Sequence, residues 1–169
     1  QAPWVVQNEG PTAPPYGAAV AARFPDPAVL YSTPGLEPGR RAFTTNAELA
    51  QWLQTLVSSA PSGPTRTKLL NLGMSQLGEP LLGLLLTRAA GTEPAQLDAS
   101  GRPTVVLIGQ QHGNEPASSE ALLVISRELS QGLLAPLLDR INVVVVPRAN
   151  PDGTATQTRS TARGVDMNR

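Results

Sequence analysis

The 169 residues suffice for one domain with a buried core, and the 13 basic and 13 acidic residues balance. No basic stripe is visible, so nucleic acid and anionic membrane surfaces are not expected partners. The longest apolar run, "PLLGLLLT" at 80–87, is too short to span a bilayer, and the lack of cysteine rules out disulfides and thiolate metal sites.

The chain begins at Gln1 with no initiator methionine. "QAP" fits either a mature end left by signal-peptide removal or a chosen boundary, and export to a periplasmic or secreted location is the expectation. Residues 1–44 are rich in proline and alanine without sustained periodicity, which predicts an irregular extension wrapped on the domain or partly disordered; Phe24 and Tyr31 argue for packing over pure disorder. The main domain is expected over 45–169. It opens with a helix: Thr45 and Glu48 form a capping box, and Leu49, Trp52, Leu53 and Leu56 fall on one face. "APSGP" at 60–64 ends it.

Two apolar runs, 68–73 and 81–88, flank the turn signal "SQLGEP" and predict a hairpin. A loop through "GTEPAQLDASGRP" then leads to "TVVLIG" at 104–109, a β-branched run of the kind buried on both faces. Helical spacing through Ala121, Leu122, Ile125 and Leu129 predicts a helix over 117–131, stopped by Gly132. "INVVVVPR" at 141–148 reads as another buried strand. Strand, helix and strand in this order imply a crossover and a parallel pair, hence a mixed, partly parallel α/β sheet with flanking helices.

The only histidine, His112, falls in the loop leaving the first of these two strands, at the sheet edge where open α/β folds bind ligands. Glu115 sits three residues on, at the start of the predicted helix. An i, i+3 pair at such a junction can turn an imidazole nitrogen and a carboxylate oxygen to one point, and zinc accepts both at about 2.0–2.2 Å. Gly113 is expected to supply unusual backbone angles, and Pro116 suits a first helical turn. A helix N-terminus also favours a glutamate by its dipole alone, so the pair needs support from elsewhere.

The exit of the next strand supplies it. Asn150, Pro151, Asp152 and Gly153 form a tight turn by composition, and Arg159, Arg163 and Arg169 follow. An arginine fork matches a carboxylate in two bonds and asparagine adds a neutral donor, so Asn168 with Arg169 is a candidate clamp for an anionic chain end.

"HGNE", "NPDG" and "RSTARGVDMNR", in that order and on strand ends, resemble the successive signatures of the zinc carboxypeptidase family, the carboxypeptidase A type. "LGMSQLGEPLLGLLL" resembles that family's early hairpin, so the resemblance covers residues 45–169. It implies one Zn²⁺ ion, with His112 and Glu115 as two of three protein ligands. It implies that Arg159 polarises the scissile carbonyl and stabilises the oxyanion, and that Asn168 and Arg169 grip the substrate's terminal carboxylate; if the protein is exported from a bacterium, a peptide or cell-wall peptide is the expected substrate. Asn150–Gly153 and Asp166 are implied as scaffold, with Arg163 a surface residue.

The sequence departs from the family pattern in lacking a second histidine and the downstream general-base glutamate. Residues 45–169 are therefore expected to be the N-terminal half of a catalytic domain, with an unpaired strand edge and an apolar face that a C-terminal half or second polypeptide completes. Two other readings stand beside a metallocarboxypeptidase. One is a zinc deacylase of N-acyl amino acids, of the aspartoacylase and desuccinylase type, which "NPDG" disfavours; the other is a non-catalytic carboxylate-binding module.

Overall fold

The computed structural model describes residues 17–23, 31, 33–59 and 63–169. Phe24 lies outside them, and Tyr31 is half-buried. The described part of the extension holds a six-residue helix, α1 (Ala18–Arg23), and a 3₁₀ turn at Pro34–Leu36.

Helix α2 (Asn46–Ser58) starts where its capping box predicts. The Thr45 hydroxyl accepts from the Glu48 amide at 3.2 Å, and the Glu48 carboxylate accepts from the Thr45 amide at 2.8 Å. Leu49, Leu53 and Leu56 are buried along one stripe. Strands β1 (Arg66–Met74) and β2 (Pro80–Thr87) form the expected antiparallel hairpin. Strand β3 (Thr104–Ile108), helix α4 (Ala117–Gln131) and strand β4 (Asn142–Val146) make the crossover, with β3 and β4 parallel. The sheet is mixed, in the order β1-β2-β4-β3.

Side-chain alternation decides where the core lies. Leu84, Leu86, Val143 and Val145 point to one face, where they meet the leucines of α2 and α4 in a single buried cluster. The registered row Leu85, Val144 and Val106 points to the other face. There Val106 is 54% exposed and its strand neighbour Ile108 is 53% exposed.

Three expectations are corrected. The β-branched run 104–109 is not buried on both faces: among the described residues β3 is the edge strand, bonded only to β4, and it is largely exposed. The loop after β2 contains a short helix, α3 (Pro94–Ala99), which Pro94 initiates and a Glu93–Gln96 capping box closes. The turn Asn150–Gly153 is the start of another, α5 (Pro151–Thr156), with the Asn150 side chain accepting from the Gly153 amide at 3.0 Å. Among the described residues, no helix is long and apolar enough to cross a membrane.

Candidate functional site

The sequence places two loops at the C-terminal ends of the parallel strands, and backbone hydrogen bonds keep them adjacent. The Ala149 amide donates to the Gly109 carbonyl at 3.0 Å and the Asn150 amide to the Gln110 carbonyl at 3.1 Å. His112 and Glu115 stand in the loop after β3. Arg159, Asp166, Met167, Asn168 and Arg169 lie in the segment after α5.

Gly113 is needed here for a reason other than the one expected. Its φ is not in the left-handed region; instead, a Cβ at this position would overlap the backbone of Gly153. The loop carrying His112 therefore packs directly on the start of α5, joining "HGNE" to "NPDG" through two glycines.

His112 is 7% exposed. Its Nδ1 stands 3.1 Å from Glu115 Oε2, and its Nε2 stands 2.9 Å from the Met167 carbonyl. Asp166 Oδ1 is also 2.9 Å from Nε2, but the carbonyl has the better hydrogen-bond direction, so we assign the bond to it and an ionic contact to Asp166. A carbonyl can only accept, so Nε2 carries the proton, and in the neutral ring the lone pair of Nδ1 faces a carboxylate oxygen. Two electron-rich atoms at this distance require a proton or a cation between them. In line with this, the adjacent Glu115 raises the His112 pKa above its ordinary value, and His112 lowers that of Glu115.

Arg159 joins the same cluster. Its Nε donates to Asp166 Oδ2 at 2.9 Å and its Nη1 to Glu115 Oε1 at 3.1 Å. The Arg159 guanidinium holds the Asp166 pKa below the usual carboxylate range, and Asp166 holds that of Arg159 up. His112, Glu115, Arg159 and Asp166 are thus brought together. Asn168 and Arg169 are exposed just beyond Met167, with Asn168 left-handed at φ 70, and neither bonds to the cluster. Arg163 is a surface residue whose amide donates to Gln76 Oε1 at 3.0 Å.

Other carboxylates near the site are engaged. Asp152 accepts from the Ser75 hydroxyl at 2.5 Å and the Leu77 amide at 3.2 Å, tying the hairpin turn to α5. Glu120 is buried and accepts from the Thr44 amide and hydroxyl at 2.7 and 2.8 Å.

Sequence reasoning missed Gln110 and Arg148. Both are buried, and Arg148 Nε donates to Gln110 Oε1 at 2.7 Å. Burial lowers the Arg148 pKa to about 10. The one available signal was an arginine directly after an apolar strand, which reads equally well as a strand stop.

The donor set fits zinc in part. An imidazole nitrogen and a carboxylate oxygen converge with the far ring nitrogen already held, the usual support for a ligating histidine. Two ligands about 2.0–2.2 Å from one tetrahedral ion lie roughly 3.3–3.6 Å apart, so the observed pair needs only a few tenths of an ångström of opening. Among the described residues, no third His, Cys, Asp or Glu joins the pair to make a complete metal cage. Asp166 approaches through Nε2, the ring nitrogen that Glu115 does not face.

The profile of the zinc carboxypeptidase family matches residues 49–169. Carboxypeptidase D of Mus musculus is 34% identical over 153 residues, covering 73% of this chain and 11% of that protein. Carboxypeptidase E of Caenorhabditis elegans is 32% identical over 124 residues, covering 63% and 25%. Among solved structures, carboxypeptidase A from Helicoverpa armigera superposes with a TM-score of 0.60 at 20% identity, over 71% of this chain and 29% of that one. That identity carries the likeness of fold alone. The chain spans about a tenth of the length of the carboxypeptidase D relatives, 11% of the mouse protein. On the profile match and these relatives together, the chain belongs to the zinc carboxypeptidase family.

Proposed function

We propose that this chain supplies the first part of the active site of a metallocarboxypeptidase, which hydrolyses the peptide bond at the C-terminal end of a peptide or cell-wall peptide. The observation carrying this reading is the 3.1 Å approach of His112 Nδ1 to Glu115 Oε2, with Nε2 already committed to the Met167 carbonyl.

His112 and Glu115 would hold one Zn²⁺ ion, which when bound would supply Lewis-acid polarisation and bring a water's pKa toward ~7. The Met167 carbonyl and Asp166 keep the His112 proton on Nε2, leaving Nδ1 free as a ligand. Arg159 presents its fork at the mouth of this pair, where it stabilises negative charge developing on the scissile carbonyl oxygen. Asn168 and Arg169 receive the terminal carboxylate and fix which bond is cut. Their exposure leaves their donors available for this role.

The third ligand and the general base come from further polypeptide, since His112 is the only histidine and Glu115, Glu120, Asp152 and Asp166 are engaged. We place that polypeptide against the edge of β3 that pairs with no strand among the described residues, and over Val106 and Ile108, an apolar surface that parallel sheets ordinarily cover.

The full-length protein, loaded with zinc, should release C-terminal residues from peptides and leave N-acyl aspartate intact. Cleavage of the acyl amino acid alone would assign the site to the deacylase class. No turnover of either, with zinc absent after metal-replete purification, would make it a binding module.

A further inference from the structure

Gln110 is buried beside the site and held through both its backbone and its side chain. Its φ of 45° is unusual for a side-chain-bearing residue, and it is 2% exposed. Its amide donates to the Ser118 hydroxyl at 2.9 Å and its carbonyl accepts from the Asn150 amide at 3.1 Å. Its side chain bridges two groups: Oε1 accepts from Arg148 Nε at 2.7 Å, and Nε2 donates to the Gly113 carbonyl at 3.0 Å.

Arg148 fixes which way that amide points. A guanidinium has donors only, so Gln110 must offer it oxygen and turn its NH₂ toward Gly113. The rest of the fork donates to Asn46 Oδ1 at 2.8 Å, the Thr44 carbonyl at 2.7 Å and the Ser119 hydroxyl at 3.4 Å. All these acceptors are neutral. A buried cation without a contacting carboxylate is costly, and a planar fork gripping three chain segments is what arginine alone supplies.

The far end of this bridge is the Gly113 carbonyl, which lies between the two site residues. The turn itself is closed by the Glu115 amide donating to the His112 carbonyl at 3.1 Å. Gln110 pins the middle of that turn, and with it the separation of Nδ1 and Oε2.

We propose that Gln110, held by Arg148, is a positioning residue that sets the metal-binding geometry of the His112–Glu115 turn. This rests on the reading of those two residues as zinc ligands. The role is separable from stability, because the two bonds of Gln110 can be broken separately.

The test uses the full-length protein, with zinc affinity measured by competition against a chromogenic chelator and unfolding midpoints measured without zinc. Gln110→Glu keeps an acceptor for Arg148 and loses the donor to Gly113. Gln110→Met removes both without adding charge, and it decides the matter if the glutamate variant does not fold. Both should bind zinc about 10–100-fold more weakly than the parent, with the glutamate variant near the parent midpoint. Leu53→Ala, a core truncation, should lower the midpoint and leave zinc affinity unchanged. Parent-like zinc affinity in the folded Gln110 variants, with binding still lost in His112→Ala, overturns the positioning role alone. A parent protein that binds no zinc overturns the ligand reading, and the positioning role with it.

Discussion

Arg159 and Asp166 form a two-way brace: Nε of the arginine donates to Oδ2 at 2.9 Å, and the carboxylate's other oxygen stands 2.9 Å from His112 Nε2. One carboxylate thus bonds the guanidinium and lies in ionic contact with the imidazole, whose Nε2 proton goes to the Met167 carbonyl. Carboxylates of this kind fix the tautomer of a ligating histidine and raise its basicity.

Asp166→Ala should therefore lower zinc affinity about 10–100-fold in the full-length protein, since Nε2 keeps only the Met167 carbonyl. A chelator competition titration measures it. Parent-like affinity would reduce Asp166 to a partner of Arg159 only.

Arg159→Lys should leave zinc bound and cut turnover roughly 10²–10³-fold, the scale of one lost oxyanion donor. A point ammonium cannot span Asp166 and a substrate oxygen as a fork can. Steady-state kinetics beside metal analysis checks this, and full turnover in the lysine variant removes the oxyanion role.

Acid stability isolates a second pair. Arg40 donates to both oxygens of Glu48 at 2.8 Å, and chiefly this bond lowers the Glu48 pKa from 4.5 to about 2. The folded state therefore favours ionised Glu48; its contribution is full above pH 4.5 and is lost as pH falls toward 2. Glu48 is 35% exposed, so screening limits the pair and its capping role to about 1 kcal/mol. Glu48→Gln should be less stable than the parent at neutral pH, with the difference closing between pH 4.5 and 2. A difference independent of pH in urea unfolding would contradict the assignment.

Local rules made much of this molecule legible. The Thr45–Glu48 box, the leucine stripe of α2 and the turn between β1 and β2 each depend on neighbours within a few residues. The order of motifs placed His112, Glu115 and Arg159 near one another, and the structure brings them into contact. What stayed hidden depends on distant partners. The apolar run of β3 carries no mark of which side has a neighbour, so an edge strand read as a central one. Helix α3 was masked by proline and glycine on either side, although Pro94 initiates it. Gln110 and Arg148 meet only after the crossover closes, and a buried polar bridge leaves no periodicity in sequence.

The exposed row on β3 gives a further expectation. If further polypeptide covers Val106, then Val106→Asp in the full-length protein buries an unpaired charge and should cost about 2 kcal/mol or more. A surface position would cost under about 0.5 kcal/mol. Denaturant unfolding distinguishes the two, and a neutral outcome would mean this face is open in the whole protein.

The central claim is that the His112 imidazole and the Glu115 carboxylate share one zinc ion. Elemental analysis of the metal-replete full-length protein and its His112→Ala variant, side by side, tests it most directly. The account predicts one zinc per parent molecule and none in the variant, with peptidase activity lost in parallel; full zinc occupancy in the variant would contradict it.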